Sequence, residues 1–247
     1  MRTILIVLLA ACPAAAEQPA APDIGGVVGR LDDLFRSTAS VGKVELVSKT
    51  ETQGRHLKLR MWTKGTDRAL IIIDEPTREA GTATLRVGNN LWNWLPKIAR
   101  TIRVPPSMML ASWMGTDFTN DDLVRESSLV HDFTATLTGR SSDPAGWLLR
   151  LDVRPGAVGR WARIDWVVDD AGELPAIARY YDRRGRLART MEFTDVKLMG
   201  GRRIPARMML KSVDQPGHRM EMRFLEMQFD AAVDEGVFSL SQLERAR

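Results

Sequence analysis

The chain has 247 residues, of which 44% are hydrophobic and 27% are charged, and its formal net charge is +4. This balance is ordinary for a globular protein that buries a sizeable apolar core. The basic residues are scattered along the chain rather than clustered, which argues against a nucleic-acid-binding role. Cys12 is the only cysteine, so an intramolecular disulfide and a cysteine-based metal site are excluded.

The first 16 residues have the pattern of a secretory signal peptide. Arg2 precedes an apolar run over residues 4–11, and three alanines stand before Glu17. The apolar run is far shorter than the roughly 20 residues that a membrane-spanning helix needs. We therefore expect export and removal of residues 1–16.

An alternative to a free mature protein is a lipid anchor. The residues that end at Cys12 also have the form of a lipobox, in which this cysteine would be lipidated. Under either alternative, residues 17–22 read as a linker and residues 23–247 as one domain.

Residues 24–37 are predicted to form one amphipathic helix, with Asp23 as its N-cap. Apolar residues recur there at helical spacing: Val27, Val28, Leu31, Leu34 and Phe35.

From Val44 onward the apolar pattern has a period of two, as in β-strands. Short turn signals such as Gly88-Asn89-Asn90 and Gly200-Gly201 separate the alternating runs at intervals near ten residues. Ten or more short strands in this arrangement predict a mainly β fold with one large antiparallel sheet, curved or closed.

One Met-rich and Trp-rich interval interrupts the strands. Pro105 and Pro106 end the preceding strand, Ser107 is predicted to cap a short helix that begins at Met108, and Thr116 to cap a second helical turn. Because methionine is flexible and polarisable, such an interval suits a lid over an apolar ligand. A simple core plug without a ligand is the alternative.

No pattern of a catalytic, cofactor or metal site is present. His56, His131 and His218 have no metal-ligand spacing and no serine motif nearby, so each is predicted to lie at the surface or in a turn. There is no phosphate-binding loop, dinucleotide fingerprint or nucleophile elbow. We therefore expect no catalytic residues, no cofactor and no enzymatic activity.

The seven tryptophans are the remaining signal. Trp92 and Trp94 share one face of a predicted strand, whereas Leu91 and Leu95 share the other. Both faces must then be covered, either by core packing or by a ligand.

Two long strings carry a resemblance to a known family. The string from Arg100 to Met109 includes P-P-S-M-M, and the string from Ser112 to Leu123 reads S-W-M-G-T-D-F-T-N-D-D-L. With the strand at residues 58–65 and the ending at residues 235–240, they resemble the LolA-like proteins, often labelled outer-membrane lipoprotein-sorting proteins. The resemblance implies a single antiparallel sheet curved into a half-open barrel, with an N-terminal helix and short helices over an apolar cavity on its concave face.

The same resemblance implies a function. It implies a monomeric periplasmic carrier of lipid or lipoprotein acyl chains, which receives cargo from an inner-membrane transporter and delivers it to an outer-membrane acceptor. A binding or sensor module that recognises an envelope protein is the alternative. We expect residues 107–118 to be the lid, and the cavity and lid to be lined by Trp62, Trp92, Trp94, Met108, Met109, Leu110, Trp113, Met114 and Phe118.

Overall fold

The computed structural model describes residues 20–35, 37–49, 54–65, 67–120, 129–157, 160–214 and 217–245. The predicted signal peptide, its alternative anchor at Cys12 and the first half of the predicted linker, residues 17–19, lie outside these ranges. None of the helices in the described ranges has both the length and the apolar character needed to cross a membrane.

Helix α1 covers Ile24–Asp33 and begins as predicted. The Asp23 carboxylate accepts a hydrogen bond from the Gly26 amide at 2.9 Å, which satisfies one of the unpaired N–H groups of the first turn. The predicted end at residue 37 is wrong, because the chain already turns back to enter the first strand at Ala39. Ser37 belongs to this turn, and its hydroxyl donates to the Ala39 carbonyl at 2.6 Å.

Thirteen antiparallel strands form one sheet, which confirms the predicted fold class. The strands are β1 Ala39–Lys49, β2 Gly54–Lys64, β3 Arg68–Glu75, β4 Ala83–Val87, β5 Asn90–Leu95, β6 Arg100–Arg103, β7 Phe133–Ser142, β8 Ala145–Val153, β9 Trp161–Val168, β10 Pro175–Asp182, β11 Leu187–Met199, β12 Arg202–Ser212 and β13 Arg219–Phe229. The first strand begins five residues before the predicted change of period at Val44. Short helical turns lie at Pro96–Ile98, Pro106–Met108, Leu129–Asp132, Glu235–Phe238 and Leu240–Glu244.

The strand order explains why one connection crosses the sheet. The sheet consists of two meanders, β1–β6 and β7–β13, which meet where β1 pairs with β13. Strands β6 and β7 are therefore its two opposite edges, and the sheet is not closed. The connection between them, residues 104–132, has to pass from one edge to the other.

The two faces of the sheet carry separate apolar clusters. On β3, Ile71 and Ile73 belong to one cluster and Leu70 and Ile72 to the other, as alternation along a strand requires. The first cluster also contains α1 and Trp113, and we call its side of the sheet the inner face. On the opposite side, the outer face, the C-terminal residues Val233, Phe238 and Leu243 pack against β3 and β4.

Candidate functional site

The 107–118 segment folds into a tight loop that packs against the inner face. Met114 and Gly115 have left-handed φ angles of 49° and 69°, which turn the chain at the tip of the loop. The Trp113 amide donates to the Phe118 carbonyl at 2.7 Å and closes the loop. Trp113 and Phe118 both belong to the inner-face cluster, so the loop is attached through its two aromatic residues.

The predicted helix caps in this region are wrong. The turn at Pro106–Met108 is a 3-10 turn opened by the two prolines, with no side-chain cap from Ser107. Thr116 does not cap a helix, because its hydroxyl donates to the Trp113 carbonyl at 2.7 Å within the loop. The end of that predicted helical turn lies outside the described residues.

Trp113 provides the main attachment of the segment to the sheet. It is only 2% exposed, and its indole N–H donates to the Thr84 hydroxyl at 3.0 Å. Thr84 in turn donates to the Asn93 side-chain carbonyl at 2.7 Å. The buried Thr84 on β4, held by the partly buried Asn93 on β5, therefore fixes the position of the indole.

A chain of three polar side chains forms the second attachment. Asp117 Oδ1 lies 3.0 Å from His218 Nδ1, and His218 Nε2 lies 3.0 Å from the Ser48 hydroxyl. With the proton on Nδ1, the imidazole donates to Asp117 and accepts from Ser48. Burial raises the pKa of Asp117 above its ordinary value, against the opposing effects of His218 and Ser48. The chain links the 107–118 segment to β1 and to the start of β13.

The prediction that all three histidines are exposed or in turns is wrong for His218. His56 and His131 are exposed, whereas the His218 side chain is largely buried although it follows a turn. Its neighbour Ser48 has a sequence signal, since it alternates with Leu46 on β1 and so points to the inner face. No local pattern places Asp117 beside them, because the contact spans some hundred residues of chain.

A cavity of about 310 Å³ lies beside this attachment. Its apolar lining comes from Leu110 and Phe118 of the segment and from Trp161 and Ala188 of the sheet. Its polar lining includes acidic, basic and imidazole groups: Asp117, Asp214, Arg160, Arg189 and His218. The volume is at the lower end of the roughly 300–1,000 Å³ that small-molecule sites occupy.

Arg189 is a buried cation in the wall of this cavity that sequence reasoning missed. Its guanidinium lies 4.6 Å from the ring centres of both Trp161 and Tyr180, so aromatic faces flank it. The sequence pattern could have identified it, because Arg189 alternates with Met191 and Phe193 on β11 and so points to the inner face as they do.

The structure separates the nine residues that were predicted to line one cavity. Trp113, Met114 and Phe118 pack in the inner-face cluster. Met109 is partly buried, whereas Met108 and Leu110 are exposed. The remaining three pack on the outer-face cluster: Trp62, Trp92 and Trp94.

Trp62 lines a different cavity on the outer face. That cavity measures about 290 Å³ and lies between β2, β3 and the C-terminal helix Leu240–Glu244. Leu70, Ile72 and Val237 form its apolar wall, and Arg60 and Arg245 lie at it. In the described ranges, no group of three or more histidine and acidic side chains is arranged to hold a metal ion.

Comparison with known proteins places this fold among uncharacterised relatives. A protein-family model described as “-like: Uncharacterized protein” matches residues 65–245. No curated protein matches the chain.

Solved structures share the fold across nearly the whole chain. A DUF1329 family protein from Desulfovibrio piger is 21% identical with a TM-score of 0.78, covering 89% of this chain and 97% of its own. A LolA superfamily protein from Nitrosomonas europaea is 19% identical with a TM-score of 0.73, covering 90% and 100%. A domain from Vibrio parahaemolyticus, proposed in its description to be an outer membrane lipoprotein-sorting protein, is 19% identical with a TM-score of 0.73, covering 88% and 97%.

Proposed function

Because the chain belongs to the family described as “-like: Uncharacterized protein” and shares its fold with a LolA superfamily protein, we propose that it is a periplasmic carrier that holds an apolar ligand against the inner face of its sheet. The ligand is a lipid or the acyl chain of a lipoprotein. The observation that carries the proposal is the 107–118 segment, which packs on the apolar inner face and borders a cavity.

The energetics of an acyl chain call for such a cover. Each CH₂ group that leaves water gains roughly 0.8 kcal/mol, so a lipid does not cross an aqueous compartment unprotected. A cavity of about 310 Å³ is small for a long acyl chain. Loading therefore requires the 107–118 segment to move away from the inner face, and Phe118 and Leu110 to exchange their present neighbours for the ligand.

The fold relatives support a role in sorting lipoproteins to the outer membrane. One is a LolA superfamily protein, and another is proposed to sort outer membrane lipoproteins. By analogy, the protein receives its cargo from an inner-membrane transporter and passes it to an outer-membrane acceptor. The predicted signal peptide agrees with that compartment.

The decisive experiment is native mass spectrometry combined with lipid extraction, on protein purified from the periplasm. We expect a bound acyl species that is lost in Phe118→Asp and reduced in Leu110→Asp. The matched control is Leu198→Asp, since Leu198 is exposed on another part of the sheet. Circular dichroism establishes that each variant is folded. A wild-type mass without ligand, together with no uptake of acyl probes, would contradict a carrier and favour the protein-binding module.

An ester hydrolase is the second candidate, because Ser48, His218 and Asp117 have the connectivity of a catalytic triad. Two features oppose it. Ser48 is only 5% exposed and does not line the cavity, and Asp117 would leave the other two residues whenever the segment opens. Labelling of Ser48 by a fluorophosphonate probe, absent in His218→Ala, would establish the hydrolase; the carrier proposal expects no labelling.

A further inference from the structure

Exposed apolar side chains are concentrated at one edge of the sheet. Ten large hydrophobic residues are exposed in the described part of the chain, and four of them fall within residues 98–110. The four are between 45% and 68% exposed: Ile98, Ile102, Met108 and Leu110. Solvent-exposed apolar groups of this density mark an interaction surface rather than ordinary protein surface.

The same edge is basic. The sequence from residue 80 to residue 116 contains no aspartate or glutamate but contains four basic residues. Three of these are exposed in or beside β6: Lys97, Arg100 and Arg103. Glu244 approaches from the C-terminal helix, where it accepts a hydrogen bond from Thr101 at 2.8 Å. The basic character therefore belongs to the edge and to the turn before it.

The four apolar residues and the three basic residues follow one another along the β6 edge of the sheet, and we call them the edge patch. On β6, Arg100 and Ile102 share the inner face, whereas Arg103 lies opposite Trp92 on the outer face. Ile98 lies in the turn between β5 and β6, and Ile102 lies on β6 opposite Asn93. Met108 and Leu110 follow where the chain leaves β6 towards the 107–118 segment. Residues 97–110 are thus a continuous stretch of chain along the free edge of the sheet.

We propose that the edge patch docks the protein onto the surface of an anionic lipid bilayer. Apolar side chains interspersed with basic ones match the two layers of such a surface, since the basic groups meet phosphates while the apolar groups enter the acyl boundary. The edge patch contributes only Leu110 to the inner-face cavity and no residue to the outer-face cavity, so it offers exposed side chains rather than a groove, as a lipid surface requires. Docking does not depend on the proposed cargo.

The position of the patch gives docking a consequence for the carrier. Leu110 belongs both to the edge patch and to the cavity wall. Insertion of Met108 and Leu110 into the bilayer pulls on the segment that covers the inner face. In this arrangement the bilayer itself favours opening at the place where cargo is taken up or released.

The experiment is co-sedimentation of the purified protein with vesicles. Vesicles of phosphatidylcholine with phosphatidylglycerol are compared with vesicles of phosphatidylcholine alone, at low and high salt. Each basic residue near an anionic surface strengthens binding about fivefold, so the variant Lys97→Glu/Arg100→Glu/Arg103→Glu is expected to lose at least on the order of a hundredfold in affinity. The wild-type preference for anionic vesicles should weaken at high salt.

A second variant tests the apolar half of the patch. Met108→Ser/Leu110→Ser is expected to bind anionic vesicles more weakly at every salt concentration, because it removes the apolar contribution to binding, which does not depend on salt. The matched controls are Val196→Ser/Leu198→Ser and Arg184→Glu, which change exposed residues away from the patch and should bind as the wild type does.

Two results would overturn the proposal. One is a wild-type protein that does not bind anionic vesicles. This includes the case in which these residues bind an acidic protein instead. The other is a basic-to-acidic variant that sediments like the wild type. Native mass spectrometry of bound lipid tests the carrier separately, so that docking without cargo and cargo without docking are distinguishable outcomes.

Discussion

The hydrogen bond between Trp113 and Thr84 offers a quantitative test of how the 107–118 segment is held. The Thr84 hydroxyl accepts from the indole N–H at 3.0 Å and donates to the Asn93 side chain at 2.7 Å. Thr84→Val preserves the shape of the side chain and removes both bonds. The buried indole N–H and the partly buried amide oxygen of Asn93 then lose these partners.

The size of the effect follows from the burial of these groups. Each buried polar group left without a partner costs about 1–3 kcal/mol. Relaxation recovers part of this, so we expect Thr84→Val to lower the free energy of unfolding by roughly 2–4 kcal/mol. Thr84→Ser keeps the hydroxyl and should cost less, about 1 kcal/mol, for one lost methyl group.

Two assays separate global from local opening. Urea denaturation followed by far-UV circular dichroism measures the free energy of unfolding. Residues 107–118 contain no lysine or arginine, so chymotrypsin rather than trypsin reports on local opening, by cleavage at Leu110 or Phe118. We expect Thr84→Val to unfold at lower urea and to be cleaved faster in this segment than Thr84→Ser.

A double-mutant cycle with Trp113→Phe isolates the bond itself. The two single changes share one hydrogen bond, so their effects should fall short of additivity by about 1 kcal/mol. If Thr84→Val shows the wild-type urea midpoint and the wild-type cleavage rate, the indole is not the anchor of the segment. The opening mechanism of the proposed carrier would then need another basis.

Three further predictions concern the sheet and its titrating groups. Gly146→Ala should lower stability by about 1–3 kcal/mol by urea denaturation, because a Cβ there would overlap a backbone carbonyl of β9; an unchanged midpoint would refute this packing. Burial raises the pKa of Asp117, so the folded protein binds the proton of this carboxyl more tightly than the unfolded chain does. The free energy of unfolding, measured relative to Asp117→Asn, should therefore fall as the pH rises from the ordinary pKa of aspartate through the raised pKa of Asp117. A pH series of urea midpoints with no such slope would contradict it. The side-chain hydrogen bond from Arg207 lowers the pKa of Glu221, so Glu221→Gln should lower the free energy of unfolding by about 0.5–1 kcal/mol at neutral pH. This difference should vanish at acidic pH, where the wild-type carboxylate is protonated. A difference that persists in acid would show that the charge of Glu221 is not its source.

Local patterns were sufficient for the elements but not for their arrangement. The period of two after Val44 predicted strands, and Trp147, Leu149 and Leu151, which alternate along β8, are all buried in the inner-face cluster. The pairing of β1 with β13 depends on residues nearly two hundred positions apart, and no local signal specifies it. That pairing makes β6 and β7 the edges, and thereby decides where the 107–118 segment lies.

The predicted site was incomplete for a related reason. Alternation correctly places Trp92 and Trp94 on one face, but it does not say which face a ligand would meet. This half of the sheet is covered on both sides, by the 107–118 segment and by the C-terminal residues. Apolar side chains on the two faces therefore give the same sequence pattern. Ser48 and His218 were missed because their partner, Asp117, reaches them only through the crossing connection.

Helix α1 and the 107–118 segment both pack on the inner face, and they differ in how much apolar surface holds them there. Helix α1 buries Val27, Val28 and Leu31 and is tied down by a hydrogen bond from Arg30 to the Gly172 carbonyl at 3.1 Å. The 107–118 segment fully buries only one large apolar side chain, that of Trp113. Since burial of each such residue contributes about 1.5–3 kcal/mol, lifting α1 costs more than releasing the segment. Its remaining attachment, through Asp117, includes a buried carboxylate whose charged form is disfavoured. For the proposed carrier we therefore expect the 107–118 segment to open before α1 does.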